Sequence, residues 1–195
     1  MPAIWLIDAY RAGERGQVHA LTGALENALG WPVEIKKLAY RKHVVMPHVL
    51  GLASISGITD ESRLNLLEPW PDLVIASGVR NEPVCRWIRE QSGGRTRYVH
   101  VGRPWGSLDS FDAVVTTPQY RVPHHSAVVQ NMLTLHSVTR RRLNEAAVRH
   151  SAITAGLPGP HTAVVIGGDS GPFTFGPKAA RRLALEVSAQ ALRSG

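Results

Sequence analysis

Apolar runs of strand length alternate along this chain with segments whose apolar residues recur at helical spacing, and that alternation leaves few folds open. Strands separated by helix-length crossovers pair in parallel, and a parallel sheet is covered by helices on its faces. The pattern therefore predicts an α/β layer sandwich.

The first run, Ala3 to Ile7, ends at Asp8. A turn over Gly13 to Gly16 follows, and Val18, Leu21, Leu25, Ala28 and Leu29 then share one helix face that ends at Gly30. Val33 to Leu38 reads as a second strand, and residues 47–57, opened by Pro47 and closed by Gly57, as a short helix. Asp72 to Ala76 is a buried strand; it leads through the turn Ser77-Gly78 to a helix over Pro83 to Gln91, which Gly93-Gly94 terminates. Arg97 to Val101 and Asp112 to Thr116 are further strands, and Val128-Val129 is a weaker one. Thr139 caps a helix over Arg140 to His150. The Gly/Pro-rich stretch 156–160 is the best linker in the chain. Beyond it lie a strand at Thr162 to Ile166, the glycine-bearing stretch Gly167-Gly-Asp-Ser-Gly171, and a helix from Pro177 with Ala180, Leu183, Val187 and Ala191 on one face. The expected organisation is a Rossmann-like, doubly wound, mostly parallel domain over residues 1–155, the linker, and a single strand-loop-helix unit over 161–195.

Ligands of open α/β sheets settle outside the carboxyl ends of the strands. Four loops of this chain occupy such positions: Asp8 to Gln17, Ser77 to Asn81, Gly102 to Trp105 and Gly167 to Thr174. In the last, Gly167, Gly168 and Gly171 let backbone N–H groups approach an anion, Ser170 adds a hydroxyl, and the following helix presents its positive end. Asp169 opposes an anion, which leaves a sugar hydroxyl or a structural cap as its role. In the first loop, Gln17 and His19 are placed to meet a polar ligand, with His19 either a proton carrier or a residue of a solvated helix face. Arg103 beside Trp105 suits a carboxylate, a phosphate or a stacked ring, and Trp105 equally suits a lid over the sheet edge. No GxSxG, HExxH or CxxC motif is present, and His43, His48, His124 and His125 lack the spacing of a metal site.

With 44% hydrophobic and 19% charged residues the chain has the composition of a folded domain rather than a disordered one. Its formal charge of +7 is dispersed in short groups such as Arg140-Arg141-Arg142 and Arg181-Arg182, without aromatic interleaving, so sequence-specific nucleic-acid binding is not expected. Acidic lipid at a peripheral contact or phosphorylated small molecules are the remaining acidic partners. The lone Cys85 sits in an apolar helical pattern and reads as a buried thiol. The apolar run at the N-terminus is too short for a signal peptide or a membrane span, which makes the cytoplasm the expected location.

Several stretches together resemble one family. Gly13-Glu-Arg-Gly-Gln17, Trp70-Pro-Asp-Leu-Val-Ile75, Ser77-Gly-Val-Arg80, Arg86-Trp-Ile-Arg89, Gln91-Ser-Gly-Gly94, Gly102-Arg-Pro-Trp105, Phe111 to Tyr120 and Gly167 to Pro172 are similar to the mitochondrial-fission Elm-type family, whose bacterial members are often labelled predicted nucleoside-diphosphate-sugar epimerases. The resemblance spans essentially the whole chain. It implies a GT-B glycosyltransferase-like architecture of two facing Rossmann-like domains, of which 161–195 would supply only the start of the second, so that the chain is expected to be a truncated form. It also implies a nucleoside diphosphate sugar as ligand, no separate cofactor, and, if the chain is active, glycosyl transfer from that sugar. The residues that would hold the ligand are Gly13, Gly16, Gln17, Ser77, Gly78, Arg80, Arg103, Gly167, Gly168, Asp169, Ser170 and Gly171. Related lipid-linked sugar transferases carry Gly-Gly-His at the first helix start where this chain has Gly16-Gln17, so no catalytic residue is assigned. The alternatives are a non-catalytic protein that binds a protein partner or a second copy of itself through the incomplete second domain, and an inert remnant.

Overall fold

The structure is a computed structural model, and it describes residues 1–41, 51–157, 159–169 and 174–194. It divides into two compact units, Met1–Ser137 and Val138–Gly195.

The first unit is an α/β sandwich around one six-stranded sheet. Its strands are β1 (Ile4–Ile7), β2 (Val33–Lys36), β3 (Leu73–Ser77), β4 (Arg97–Val101), β5 (Ala113–Thr116) and β6 (Val128–Gln130). Their order is β2-β1-β3-β4-β5-β6, and every neighbouring pair is parallel. All four residues of β1 are buried, as expected of a parallel strand covered on both faces. Helix α1 (Ala12–Leu29) covers one face: Val18 packs there with Ile4, Leu6, Ile75 and Val101. Helix α3 (Glu82–Gln91), which follows a short α2 (Asp60–Arg63), covers the other. From α3, Val84, Cys85 and Ile88 close a core with Trp5, Ile7, Val74, Ala76, Tyr98 and Val114. The sheet is thus doubly wound and Rossmann-like. Cys85 is fully buried, and burial pushes its thiol pKa up, away from reactivity.

Two sequence expectations need correcting in this unit. The stretch Gly13 to Gly16 is not a turn, because α1 already begins at Ala12. Glycine keeps its N–H and breaks no helical hydrogen bond; its cost is conformational entropy, about 0.5–1 kcal/mol relative to Ala, which does not stop the helix from starting ahead of it. The helix expected over residues 47–57 lies partly outside the described residues, and the remainder, residues 51–57, is turn and irregular chain.

The second unit contains α4 (Arg140–Thr154) and α5 (Pro177–Ser194). Thr139 caps α4 as its sequence indicates, its hydroxyl accepting from the Arg142 N–H at 3.2 Å. The division falls at Ser137, ahead of α4, which the sequence reading placed with the first domain. The expected strand at Thr162 to Ile166 is not formed: residues 161–169 have no regular secondary structure. An apolar, β-branched run becomes a strand only beside a ladder partner, and none pairs with it among the described residues. No helix among the described residues is long and apolar enough to cross a membrane.

Candidate functional site

The chain runs from β1 to β2 on one side of the sheet and from β3 onward on the other, so the order reverses between β1 and β3. Loops leaving the carboxyl ends of such a strand pair diverge and leave a crevice, the usual ligand position in open α/β sheets. Here β1 delivers Asp8, Ala9 and Tyr10, and β3 delivers Ser77 and Gly78.

Gly78 fixes how closely those loops approach. Its φ is +86°, and a Cβ placed there would lie 2.9 Å from Tyr10 Cε1 and 3.0 Å from Glu14 Oε2. Only glycine combines that conformation with that contact. Beyond it Arg80 lies over two rings, its guanidinium carbon 5.6 Å from the Tyr10 centroid and 5.9 Å from that of Tyr40. The tyrosines meet edge to face at 6.3 Å. The Tyr40 hydroxyl donates to Asn81 Oδ1, and Asn81 Nδ2 donates to the Ser77 carbonyl at 2.8 Å, so the stack is tied to the end of β3. Burial raises the pKa of both phenols, and each remains a donor at neutral pH.

On the β1 side, Asp8 Oδ1 accepts from Arg15 Nε at 3.1 Å and lies 3.2 Å from His19 Nε2. Arg15 Nε also donates to the Ala9 carbonyl, which pins the first turns of α1 to the end of β1. Glu14 is half-buried; burial raises its pKa against the opposing pull of Arg11, which stands 3.7 Å away. Its Oε2 is buried without a hydrogen-bond partner. An open pocket of about 330 Å³ is lined by Asp8, Ala9, Tyr10, Arg15, Lys37 and Leu38.

Further along the same edge, the loop after β4 is held by α3. Glu82, 2% exposed, accepts from the Trp105 N–H at 2.8 Å, the Gly106 N–H at 3.0 Å and Arg86 Nη2 at 3.1 Å. A Cβ at Gly106 would meet the Arg86 guanidinium, so a side chain here would push Arg86 away from Glu82. Arg103 Nη1 donates to the Tyr120 carbonyl at 3.1 Å. The hydroxyls of Thr116 and Thr117, at the end of β5, are buried without partners.

Of the residues the sequence singles out, the structure brings Ser77, Gly78 and Arg80 together at the crevice and places Arg103 at the end of the adjacent β4. Gly13 and Gly16 lie inside α1 with no atom near their Cβ positions, and the Gln17 side chain turns back to the Gly13 carbonyl at 3.4 Å. Gly167, Gly168 and Asp169 belong to the second unit, where Asp169 Oδ1 accepts from the Phe175 N–H at 2.7 Å. Ser170 and Gly171 lie outside the described residues. His125 pairs with Asp109 at 3.0 Å, and no group of three metal-ligating side chains occurs among the described residues. Sequence reasoning missed Tyr10, Glu14, Lys37 and Tyr40; for the first two, their position just past the first strand was the available signal.

A family model described as Mitochondrial fission ELM1 matches residues 12–195, nearly the whole chain. No curated protein and no solved structure matches.

Proposed function

The chain belongs to the Mitochondrial fission ELM1 family, and on that premise we propose that it is a glycosyltransferase-like protein whose ligand is a nucleoside diphosphate sugar. The observation that carries this reading is the crevice between β1 and β3. It combines a close-packed glycine, Gly78, with a guanidinium over the Tyr10 ring, Arg80, and with carboxylates at Asp8 and Glu14. A nucleotide sugar needs both kinds of group: cations for its phosphates and acceptors for its hydroxyls. In a GT-B-like arrangement, a first Rossmann-like unit would present this crevice towards a second such domain. Sugar, nucleotide and acceptor are left open by this reading.

The test is a thermal-unfolding screen of the purified chain with uridine, guanosine and adenosine diphosphates and their sugars. A ligand at one hundred times its Kd stabilises the folded state by about 2.7 kcal/mol, enough to move the transition by several degrees. A selective rise with one sugar nucleotide is expected. Substituting Gly168 by a bulkier residue separates the two candidate places: protection lost with Gly168 locates the ligand at the glycine stretch, and protection retained leaves the crevice. A flat response to every sugar nucleotide would remove the reading.

A further inference from the structure

The crevice between β1 and β3 carries four cations, Arg11, Arg15, Lys37 and Arg80, against two carboxylates, Asp8 and Glu14. Each carboxylate already faces a cation. Asp8 holds Arg15 at 3.1 Å, with His19 beside it, and Glu14 faces Arg11 at 3.7 Å. Lys37 and Arg80 have no carboxylate partner among the described residues. Both are exposed, Lys37 in the wall of the 330 Å³ pocket and Arg80 with its guanidinium carbon 5.6 Å from the centroid of Tyr10, which lines the same pocket. A cation–π contact uses none of the guanidinium N–H groups as donors to a carboxylate or carbonyl. The two rings beside Arg80 are themselves held, Tyr40 through Asn81 to the Ser77 carbonyl and Tyr10 edge to face against Tyr40.

From this uncompensated charge we infer that Lys37 and Arg80 form a seat for a diphosphate group at the β1/β3 crevice, with the Tyr10 hydroxyl as a further donor. Two cations match the two or more negative charges of a diphosphate, whereas a single carboxylate would satisfy only one. Glu14 Oε1 faces Arg11 at 3.7 Å, while its Oε2 is buried against Gly78 without a hydrogen-bond partner. The seat rests on the nucleotide-sugar reading only for the identity of the molecule that brings the diphosphate. A free sugar nucleotide and a diphosphate-linked acceptor would meet the same groups.

Titration calorimetry at low ionic strength with inorganic pyrophosphate, uridine diphosphate and uridine tests the seat. Wild-type chain is expected to bind the first two and not the third. Arg80→Gln and Lys37→Gln each remove one charge-assisted contact and should weaken pyrophosphate about tenfold, the effect of losing roughly 1.4 kcal/mol. Arg141→Gln, in α4 of the second unit, should change nothing, which separates a seat from general positive charge. Both crevice side chains are exposed, so the variants should keep the wild-type urea midpoint. Equal pyrophosphate affinity in wild type and in the double variant would overturn the seat, as would no binding by the wild type. Pyrophosphate binding that depends on Arg80 and Lys37, with no response to any sugar nucleotide, upholds the seat and removes the nucleotide-sugar reading. Sugar-nucleotide protection that survives the double variant does the reverse.

Discussion

His100 is fully buried on β4, between the Tyr98 hydroxyl, 3.0 Å from its Nδ1, and the Phe111 ring at 5.5 Å. Burial, helped by the positive Arg86 nearby, lowers its pKa from 6.5 to about 3. An unfolded chain takes up this proton near pH 6.5 while the folded one resists until about pH 3, so between those values the unfolded state binds more protons. The stability this neutral imidazole permits is present above pH 6.5 and is lost as pH falls towards 3, at up to about 1.4 kcal/mol per pH unit. Urea unfolding at pH 7 and pH 4 should show that fall, and His100→Gln should flatten it even though the variant starts lower. A wild-type stability unchanged between those two values would mean that His100 titrates as it does in water. Asp112 pulls the same way at more acid pH: partial burial raises its pKa, but the Tyr98 N–H and the Arg97 and Arg89 guanidinia outweigh that and lower it.

At the scale of elements, α1 offers a direct comparison of helix against loop. Gly16 lies in its second turn with no atom within 4 Å of a Cβ, so Gly16→Ala should stabilise the first unit by roughly 0.5–1 kcal/mol, measured as a shift of the urea midpoint. A glycine needed for close approach to a phosphate would instead cost ligand binding when replaced. The sequence disguised this element because two glycines three residues apart look like a turn, and local propensity cannot show that Arg15 ties them to Asp8 and Ala9. By contrast β1, β3, β4 and α3 were legible, since each is a strong apolar pattern with a clear stop at Asp8, Gly78, Gly102 or Gly93. The run at Thr162 to Ile166 has the same pattern but no ladder, and a pattern alone carries no information about partners. For the same reason the site was half visible: Ser77, Gly78 and Arg80 follow a strand and announce themselves, whereas Tyr40 reaches Asn81 across 41 positions of chain. The Glu82 clamp likewise joins residues 23 and 24 positions apart, and nothing near Glu82 in sequence marks it.

For the molecule as a whole, core and charge are distributed differently. Both hydrophobic clusters, from Ile4 to the packed Leu135, lie within Met1–Ser137, so the first unit contains its own core. Positive charge is concentrated in the rest: residues 138–195 hold eight Lys and Arg against three Asp and Glu, which is +5 of the total +7. A unit whose sheet and both helix layers are internal should fold alone, being of ordinary domain size. The fragment 1–137 is therefore expected to unfold in one cooperative urea transition near the midpoint of that unit in the full chain. If the diphosphate seat belongs to Lys37 and Arg80, the fragment also keeps pyrophosphate binding after most of the net charge has gone. A fragment that folds but no longer binds would place the anion site in the second unit, and one that fails to fold would mean that residues 138–195 complete the core of the first.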